Sequence, residues 1–240
     1  MKILQDKIAL ITGAGRGIGK ATALLFAQNG ANLILVSRTE SELDETAEFC
    51  RAEGSTVLAL PVDISQQAEI DRLFDEIRRA FSGIDTLINN AARFDSGLMR
   101  EYDIARFRSM VDTNVLAPFY IAQKFVAMVD SATGGTIVNV SSFSGCFSVE
   151  KFPGFGAYNI TKYGLWGLTE ILALENKDNN IRVNQISPSG VDTAMFKAAV
   201  PPGVQADLSP ADVAERILYL AGPDSGDLTG YNLMIAEPSL

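Results

Sequence analysis

Two rhythms of apolar residues alternate along the chain. Short contiguous apolar runs, such as Ile8-Ala9-Leu10-Ile11, are followed by longer segments in which apolar residues recur every three or four positions. The first rhythm reads as strands buried on both faces of a parallel sheet, the second as amphipathic helices. Strands are predicted over 8–11, 31–36, 56–62, 85–92, 136–142, 181–187 and 233–236. Helices are predicted over 20–29, with Ala21, Leu24, Leu25 and Phe26 inward and Gly30 as stop, then over 40–53, 66–81, 103–130, 156–176 and 210–220. Thr39 and Glu42 have capping-box spacing at the second helix. Ile70, Leu73, Phe74 and Ile77 form one face of the third, and Pro118 is expected to bend the fourth. Residues 198–209, with Pro201-Pro202-Gly203, read as a loop. Strict alternation of strand and helix predicts an α/β fold: one domain over 1–240, a doubly wound parallel sheet of about seven strands with helices on both faces.

A chain of 240 residues with 47% apolar content can bury such a core without staples. A net charge of −9 argues against nucleic acid as a partner. No apolar run approaches the ~18 residues needed to span a bilayer. The first strand begins at Ile8 with no signal peptide read before it, and a cytoplasmic location is expected. Two cysteines, Cys50 and Cys146, lack metal-site spacing, so no metal is expected. The absence of histidine narrows the chemistry most: it removes Ser-His-Asp hydrolysis and leaves acid/base work to Tyr, Lys, Cys, Asp or Glu.

Thr12-Gly13-Ala14-Gly15-Arg16-Gly17-Ile18-Gly19 joins the first strand to the first helix. Glycines there let backbone approach a ligand, and the helix N-terminus offers unpaired N–H groups to an anion, which makes the sheet Rossmann-type. A tight βα turn alone would also explain the glycines. The P-loop pattern fails, because Ala21 follows Gly19-Lys20 where Ser or Thr is required. The second strand ends at Ser37-Arg38, where an acidic residue would select NAD. Arg38 and Arg16 instead suit a 2′-phosphate, so NADP(H) is preferred over NAD(H), unless Arg38 merely lies on the surface. Tyr158 and Lys162 stand four apart on a predicted helix, on one face, where an ammonium can lower the pKa of a phenol.

Each of these groups, with Asp63, Asn89-Asn90-Ala91, Ser142 and the segment from Pro188, follows the C-terminal end of a strand, so all share one rim of the sheet. In this order and spacing the chain resembles the short-chain dehydrogenase/reductase family from about residue 6 to 195, and more loosely to 235. The match is to the NADP-preferring subgroup of 3-oxoacyl-carrier-protein reductases, sepiapterin-reductase-like enzymes and carbonyl reductases. The resemblance implies a hydride-transferring oxidoreductase acting on a small carbonyl or secondary alcohol. It implies that Gly13, Gly17, Ile18 and Gly19 cradle the pyrophosphate, that Asp63 bonds adenine with Ile64 beside it, and that Asn89 and Ala91 line the adenosine side. Val191 and Thr193 would hold the carboxamide. Tyr158 would be the general acid/base, Ser142 would bond the same substrate oxygen, Lys162 would lower the Tyr158 pKa and bond the ribose, and Asn114 would hold a water leading to solvent. Ser141 rivals Ser142, which fits the family's Ser-x-x-Gly as Ser142-Phe143-Ser144-Gly145. The family's habit implies a homodimer or homotetramer, for which Leu165, Trp166, Leu168, Ile171 and Leu172 supply apolar surface.

Four departures stand out. Ala92 replaces the usual Gly, and Ser189 replaces another, leaving Gly190 to absorb that turn. The chain closes on Ile235-Ala236-Glu237-Pro238 without Asp-Gly-Gly. The connection from Ser142 to Tyr158 is long and carries Phe143, Phe147, Phe152 and Phe155. With Phe94, Met99, Met195 and Phe196 these are expected to roof a pocket for an apolar or aromatic carbonyl, the alternative being packing among themselves or on a partner subunit. Arg93, Arg100, Arg106 and Arg108 would offer an acidic carrier protein a landing surface if the substrate were a 3-oxoacyl thioester. A catalytically silent NADP-binding sensor is the third reading.

Overall fold

The computed structural model describes residues 2–237; the outermost residues of the expected domain, Pro238 among them, lie outside that range. One parallel sheet contains β1 (Ile8–Thr12), β2 (Asn32–Ser37), β3 (Val57–Pro61), β4 (Thr86–Asn89), β5 (Gly135–Val140), β6 (Ile181–Pro188) and β7 (Asn232–Ile235). The helices are α1 (Gly17–Gln28), α2 (Glu40–Ala52), α3 (Gln67–Ala80), α4 (Ile104–Val111), α5 (Ala117–Val126), α6 (Gly156–Glu175), α7 (Ala194–Ala199) and α8 (Pro210–Ala221).

The strand runs are contiguous in sequence because both faces of the sheet are covered. Successive side chains point to opposite faces. Ala9, Ile11, Leu33, Leu35 and Val138 pack with residues of α1, α2 and α8. Leu10, Ile34, Val36, Ile137 and Val183 pack with those of α3, α5 and α6. The spatial order is β3-β2-β1-β4-β5-β6-β7. The chain therefore winds outward from β1 to β3, returns to the middle and winds the other way from β4. The two halves part at the carboxyl ends of β1 and β4, where a doubly wound sheet opens its crevice.

The structure departs from the sequence expectation at five places. Helix α1 begins at Gly17, so Ile18 and Gly19 already belong to its first turn. Thr39 stands at the start of α2 but makes no side-chain cap; its carbonyl accepts from the Ser37 hydroxyl at 3.2 Å, and Glu42 turns to Arg16 instead of closing a capping box. The predicted 103–130 helix is split into α4, a π-helical turn over Asp112–Leu116, and α5. The disturbance lies ahead of Pro118, because a proline has no N–H for the carbonyl four residues before it, here that of Asn114. The backbone answers with a wider turn in which the Ala117 N–H reaches the Asp112 carbonyl. Helix α7 was not anticipated; Thr193 caps it by accepting from the Phe196 N–H at 3.2 Å. Gly190 does not take a left-handed conformation. It makes room instead, since a Cβ there would lie 2.7 Å from the Phe196 ring.

At the opposite end of the sheet, Arg182 of β6 closes the C-terminus of α8. Its guanidinium donates to the carbonyls of Leu220 and Gly222 at 3.1 and 3.2 Å, to Ser225 Oγ at 2.6 Å and to Thr136 Oγ1 at 3.0 Å. Burial holds its pKa below the usual arginine value. Removing this fork takes a donor from several half-buried acceptors at once, with only the Ser225 hydroxyl left to serve the Leu220 and Gly222 carbonyls, and a buried acceptor left unsatisfied costs ~1–3 kcal/mol. Arg182→Met is expected to lower stability by roughly 2–4 kcal/mol, read as an earlier denaturant midpoint with native secondary structure retained; an unchanged midpoint would show that water replaces the fork at no cost.

Candidate active site

The crevice is formed by a close approach of two backbones. Thr12 Oγ1 at the end of β1 accepts from the N–H groups of Asn90 and Ala91, both at 3.1 Å. The Asn90 amide donates back to the carbonyls of Thr12 and Gly13 at 2.9 and 3.2 Å. Gly13 is in the left-handed region, with φ 69°, and a Cβ there would lie 2.8 Å from Asn90 Nδ2. A Cβ on Gly19 would fall 2.1 Å from the Gly13 carbonyl oxygen. Helix α1 opens beside this weld with no capping side chain and no acidic residue in its first turn. Its first N–H groups are therefore available to an anion. A cradle too tight for any side chain, facing an uncapped helix N-terminus, fits the pyrophosphate of a dinucleotide. The cavity in front of it measures about 620 Å³.

Most of the expected cofactor residues border this cavity. Gly13, Arg16, Gly17 and Ile18 lie on one side, Ser37, Arg38, Asp63 and Ile64 at the end beyond β2 and β3, expected to take the adenosine, and Ala91 and Thr193 on the far wall. Gly19 forms the floor of the cradle beneath Gly13. Asp63 Oδ1 is already engaged, accepting from the Ser65 N–H and hydroxyl at 3.0 and 2.8 Å. One expectation is corrected. Asn89 turns away from the cavity and donates to Asn139 Oδ1 at 2.9 Å, deep between β4 and β5; strand alternation gives the cavity Asn90 instead. Val191 buries its side chain in the core, so only its backbone stands beside Asp192 and Thr193 at the wall, its carbonyl accepting from Thr193 Oγ1 at 3.2 Å. Arg16 Nη1 lies 3.5 Å from Glu42 Oε1, so one of the two expected cations has an internal counter-charge.

Tyr158 and Lys162 share one face of α6 and are buried together. Lys162 Nζ donates to the Val140 carbonyl at 2.9 Å and lies 5.6 Å from the centre of the Tyr158 ring. Burial raises the Tyr158 pKa above its ordinary value, with a hydrogen bond to Ser142 pulling it back. Burial pushes Lys162 down to about 8. The expected lowering of Tyr158 by Lys162 is thus overridden here: the ammonium faces the ring and the Val140 carbonyl, and desolvation dominates both groups. Ser142 is the serine in contact with Tyr158, whereas Ser141 Oγ is directed at the Lys162 carbonyl, 3.5 Å away. Asn114 is fully buried beside them. Its amide accepts from the Arg93 N–H at 2.7 Å and donates to the Arg93 carbonyl and Thr161 Oγ1 at 2.8 and 3.0 Å. That side chain clamps the 93 segment to α6.

The short chain dehydrogenase family profile matches residues 7–202. An uncharacterized oxidoreductase of Staphylococcus aureus (strain N315) is 34% identical over 219 residues, covering 91% of this chain and 92% of that protein. A 3-oxoacyl-(acyl-carrier-protein) reductase of Thermotoga maritima is 31% identical over 236 residues, covering 95% of each chain. The chain belongs to the short-chain dehydrogenase/reductase family. Among solved structures, a short-chain type dehydrogenase/reductase from Mycobacterium marinum superposes with a TM-score of 0.85 at 29% identity, covering 97% of this chain and 95% of that one. Carveol dehydrogenase from Mycobacterium avium, solved with NAD, shares the fold with a TM-score of 0.91 at 23% identity, over 100% of this chain and 99% of that one.

The segment that departs from the family spacing joins a second loop beside Tyr158. The Gly97 N–H donates to the Gly154 carbonyl at 2.9 Å, tying 92–102 to 143–155. Phe152, Phe155, Phe94 and Tyr158 form a chain of edge-on aromatic contacts, with centroids 5.9, 4.8 and 5.2 Å apart in turn. Met195 borders the cavity in front of the glycine cradle. Phe147 leaves the group and packs on Tyr163 at 5.1 Å. Lys151, which sequence reasoning passed over, donates to the carbonyls of Phe143 and Cys146 at 2.8 and 2.6 Å and fixes the loop that carries Ser142. Asp95, held below the usual carboxylate range by the Arg106 guanidinium, anchors the other loop next to Phe94.

The Lys162 shift has a stability consequence with a definite sign. Its ordinary pKa is 10.5 and its folded value about 8. Between these, the unfolded chain holds a proton the folded chain has lost, so stability rises with pH across that window and the buried ammonium costs most below it. Relative to Lys162→Met, the native protein is expected to gain about 2 kcal/mol between pH 7 and 9.5, measured by urea unfolding at each pH. A flat difference between the two proteins would place an ordinary, solvated lysine at this position.

Proposed function

We propose that this protein is an NADP(H)-dependent carbonyl reductase or alcohol dehydrogenase. The observation that carries the reading is that Tyr158 and Lys162 of α6 stand in the wall of the cavity that the glycine cradle opens, with Ser142 beside the Tyr158 phenol. The bound nicotinamide supplies or accepts the hydride; the chain's own residues supply everything else. Burial keeps Tyr158 protonated at neutral pH, which is the form that can give a proton to a carbonyl oxygen. Ser142 bonds the same oxygen and stabilises its developing charge. Lys162, held against Val140, faces the ring of the forming phenolate. Asn114 locks the backbone around it. Ser37 and Arg38 at the adenosine end, with no acidic residue at the end of β2, support NADP(H) over NAD(H).

The aromatic chain ending on Tyr158 supports an apolar or aromatic carbonyl as substrate. The Thermotoga relative favours a second reading, reduction of a 3-oxoacyl thioester. The arginines proposed to receive a carrier protein are partly spent: Arg106 pairs with Asp95 and Arg100 with Glu101. The apolar substrate reading therefore ranks first. A silent sensor would not need four acid/base and positioning groups brought to one point. Leu116, Phe119, Ile160, Ile171 and Leu174 stand exposed along α6 and the segment leading through α5, which supports a homodimer or homotetramer joined on this side. Among the described residues no helix is long and apolar enough to cross a membrane, and no group of three or more His, Cys, Asp or Glu side chains could hold a metal.

Tyr158→Phe is expected to cut the rate by roughly 10²–10⁴-fold while dinucleotide binding persists. The assay is NADPH oxidation with diketones, aldehydes, pteridines and acetoacetyl thioesters. Full activity in the variant would sink the mechanism, and tight NADPH binding without turnover of any carbonyl would restore the sensor. Phe152→Ala with Phe155→Ala is expected to shift preference away from bulky apolar carbonyls. Lost stability with unchanged preference would assign these rings to packing alone.

A further inference from the structure

The Glu42 carboxylate lies in the wall of the cavity at its adenosine end, in the first turn of α2. It closes no capping box with Thr39, which leaves the carboxylate directed at its neighbours across the loop. Two side chains, Ser37 and Glu42, converge over Gly15. A Cβ on that glycine would lie 3.1 Å from Ser37 Oγ, 3.1 Å from Glu42 Cβ and 3.4 Å from Glu42 Oε2. Thr46 holds this turn of α2 to the loop, its hydroxyl 3.0 Å from the Glu42 carbonyl and 3.4 Å from the Gly15 carbonyl. Arg16 meets the carboxylate at 3.5 Å. Arg38 stands exposed at the same end of the cavity. Two guanidinium groups and a serine hydroxyl are the chemistry of a phosphate site. A carboxylate inside that set is a fixed negative charge where a further negative charge would have to enter.

We propose that Glu42 is a specificity-determining residue for the dinucleotide, which occupies Arg16 and opposes a 2′-phosphate, so that the preference for NADP(H) is weaker than Arg16 and Arg38 would give alone. The proposal rests on the reading of the cavity as a dinucleotide site. It differs from the sequence pattern, in which the acidic residue that selects NAD(H) stands at the end of the second strand; here that place holds Ser37-Arg38, and the carboxylate arrives from the neighbouring helix five residues later. A carboxylate near the ribose edge repels a phosphate dianion and leaves a 2′-hydroxyl unopposed. Removing its charge also frees Arg16 to turn to the phosphate. Both effects act on NADP(H) and neither acts on NAD(H).

The test is direct binding of NADP⁺ and NAD⁺, each by isothermal titration calorimetry, to the native protein and to Glu42→Gln, Glu42→Ala and Glu40→Gln. Glu40 is an exposed acid of the same helical turn outside the cavity wall. In Glu42→Gln the Kd for NADP⁺ is expected to fall about tenfold, from loss of one unit charge at close range, with the Kd for NAD⁺ unchanged. Glu42→Ala should follow it and Glu40→Gln should leave both values alone. Equal change for the two dinucleotides, no change, or the same gain from Glu40→Gln would overturn the assignment. The native protein's own ratio of the two Kd values tests the NADP(H) reading separately. An NAD⁺-preferring native protein whose ratio still moves tenfold in Glu42→Gln would sink that reading and uphold Glu42. Binding of neither dinucleotide would sink both.

Discussion

The structure depends on a contact between two strand ends that sequence places far apart. Thr12 and Asn90 exchange hydrogen bonds across the switch point of the sheet, and through them the glycine turn after β1 is laid directly on the segment after β4. Backbone this close leaves no volume for a Cβ at Gly13 or Gly19. The same contact sets where α1 begins, and so where its free N–H groups point. It also fixes the start of the 91–102 segment, whose next residues include the Arg93 backbone clamped by Asn114 and the Phe94 ring set against Tyr158. Cradle, positioning amide and aromatic wall are therefore consequences of one junction.

Burial sets the character of the Tyr158–Lys162 pair. Tyr158 and Lys162 are both removed from water, and desolvation disfavours the charged form of each. The phenol is held protonated and the amine is brought toward neutral pH. This is a costly way to place two ionisable groups, and the fold meets part of the cost with fixed partners: the Val140 carbonyl for Lys162 and Ser142 for Tyr158. Around them, the long connection that departs from the family spacing is made rigid by charge. Lys151 binds two of its carbonyls and Arg106 grips Asp95 on the loop opposite. A loop so tied can present the Phe152–Phe155–Phe94 chain as a wall of fixed shape.

The fold was legible because its signal is local and repeated. Apolar runs covered on both faces and amphipathic segments between them give strand and helix their own periods, and five of the eight α-helices among the described residues lie inside the predicted segments, α4 and α5 sharing one, while α1 starts three residues before its segment and α8 ends one residue beyond its own. The exceptions have physical causes. Helix α7 is only six residues long and is started by a Thr193 cap after an irregular turn, which leaves no period to read. The π-helical turn depends on Pro118 acting on a carbonyl four residues earlier, so the bend was expected at the wrong residue. The Thr39–Glu42 pattern matched a capping box in spacing alone, and Arg16, brought in from another element, claimed the carboxylate.

For the site, sequence by itself determined the residue types, their order, and the rim of the sheet they would occupy, because position after a strand end fixes the side of a parallel sheet. It could exclude imidazole chemistry from composition and single out Tyr158 and Lys162, which helical spacing alone would leave as an ordinary surface pair, once the other motifs carried the family resemblance. Tertiary structure decided everything that depends on direction and surroundings. Of two adjacent asparagines, strand parity sent Asn89 into the core and Asn90 to the cavity. Of two adjacent serines, only Ser142 meets the phenol. The balance between lysine and burial at Tyr158, and the charge that Glu42 places beside Arg16, arise between elements distant in the chain. Desolvation and Coulomb energy are set by distance in space, which separation in sequence does not record.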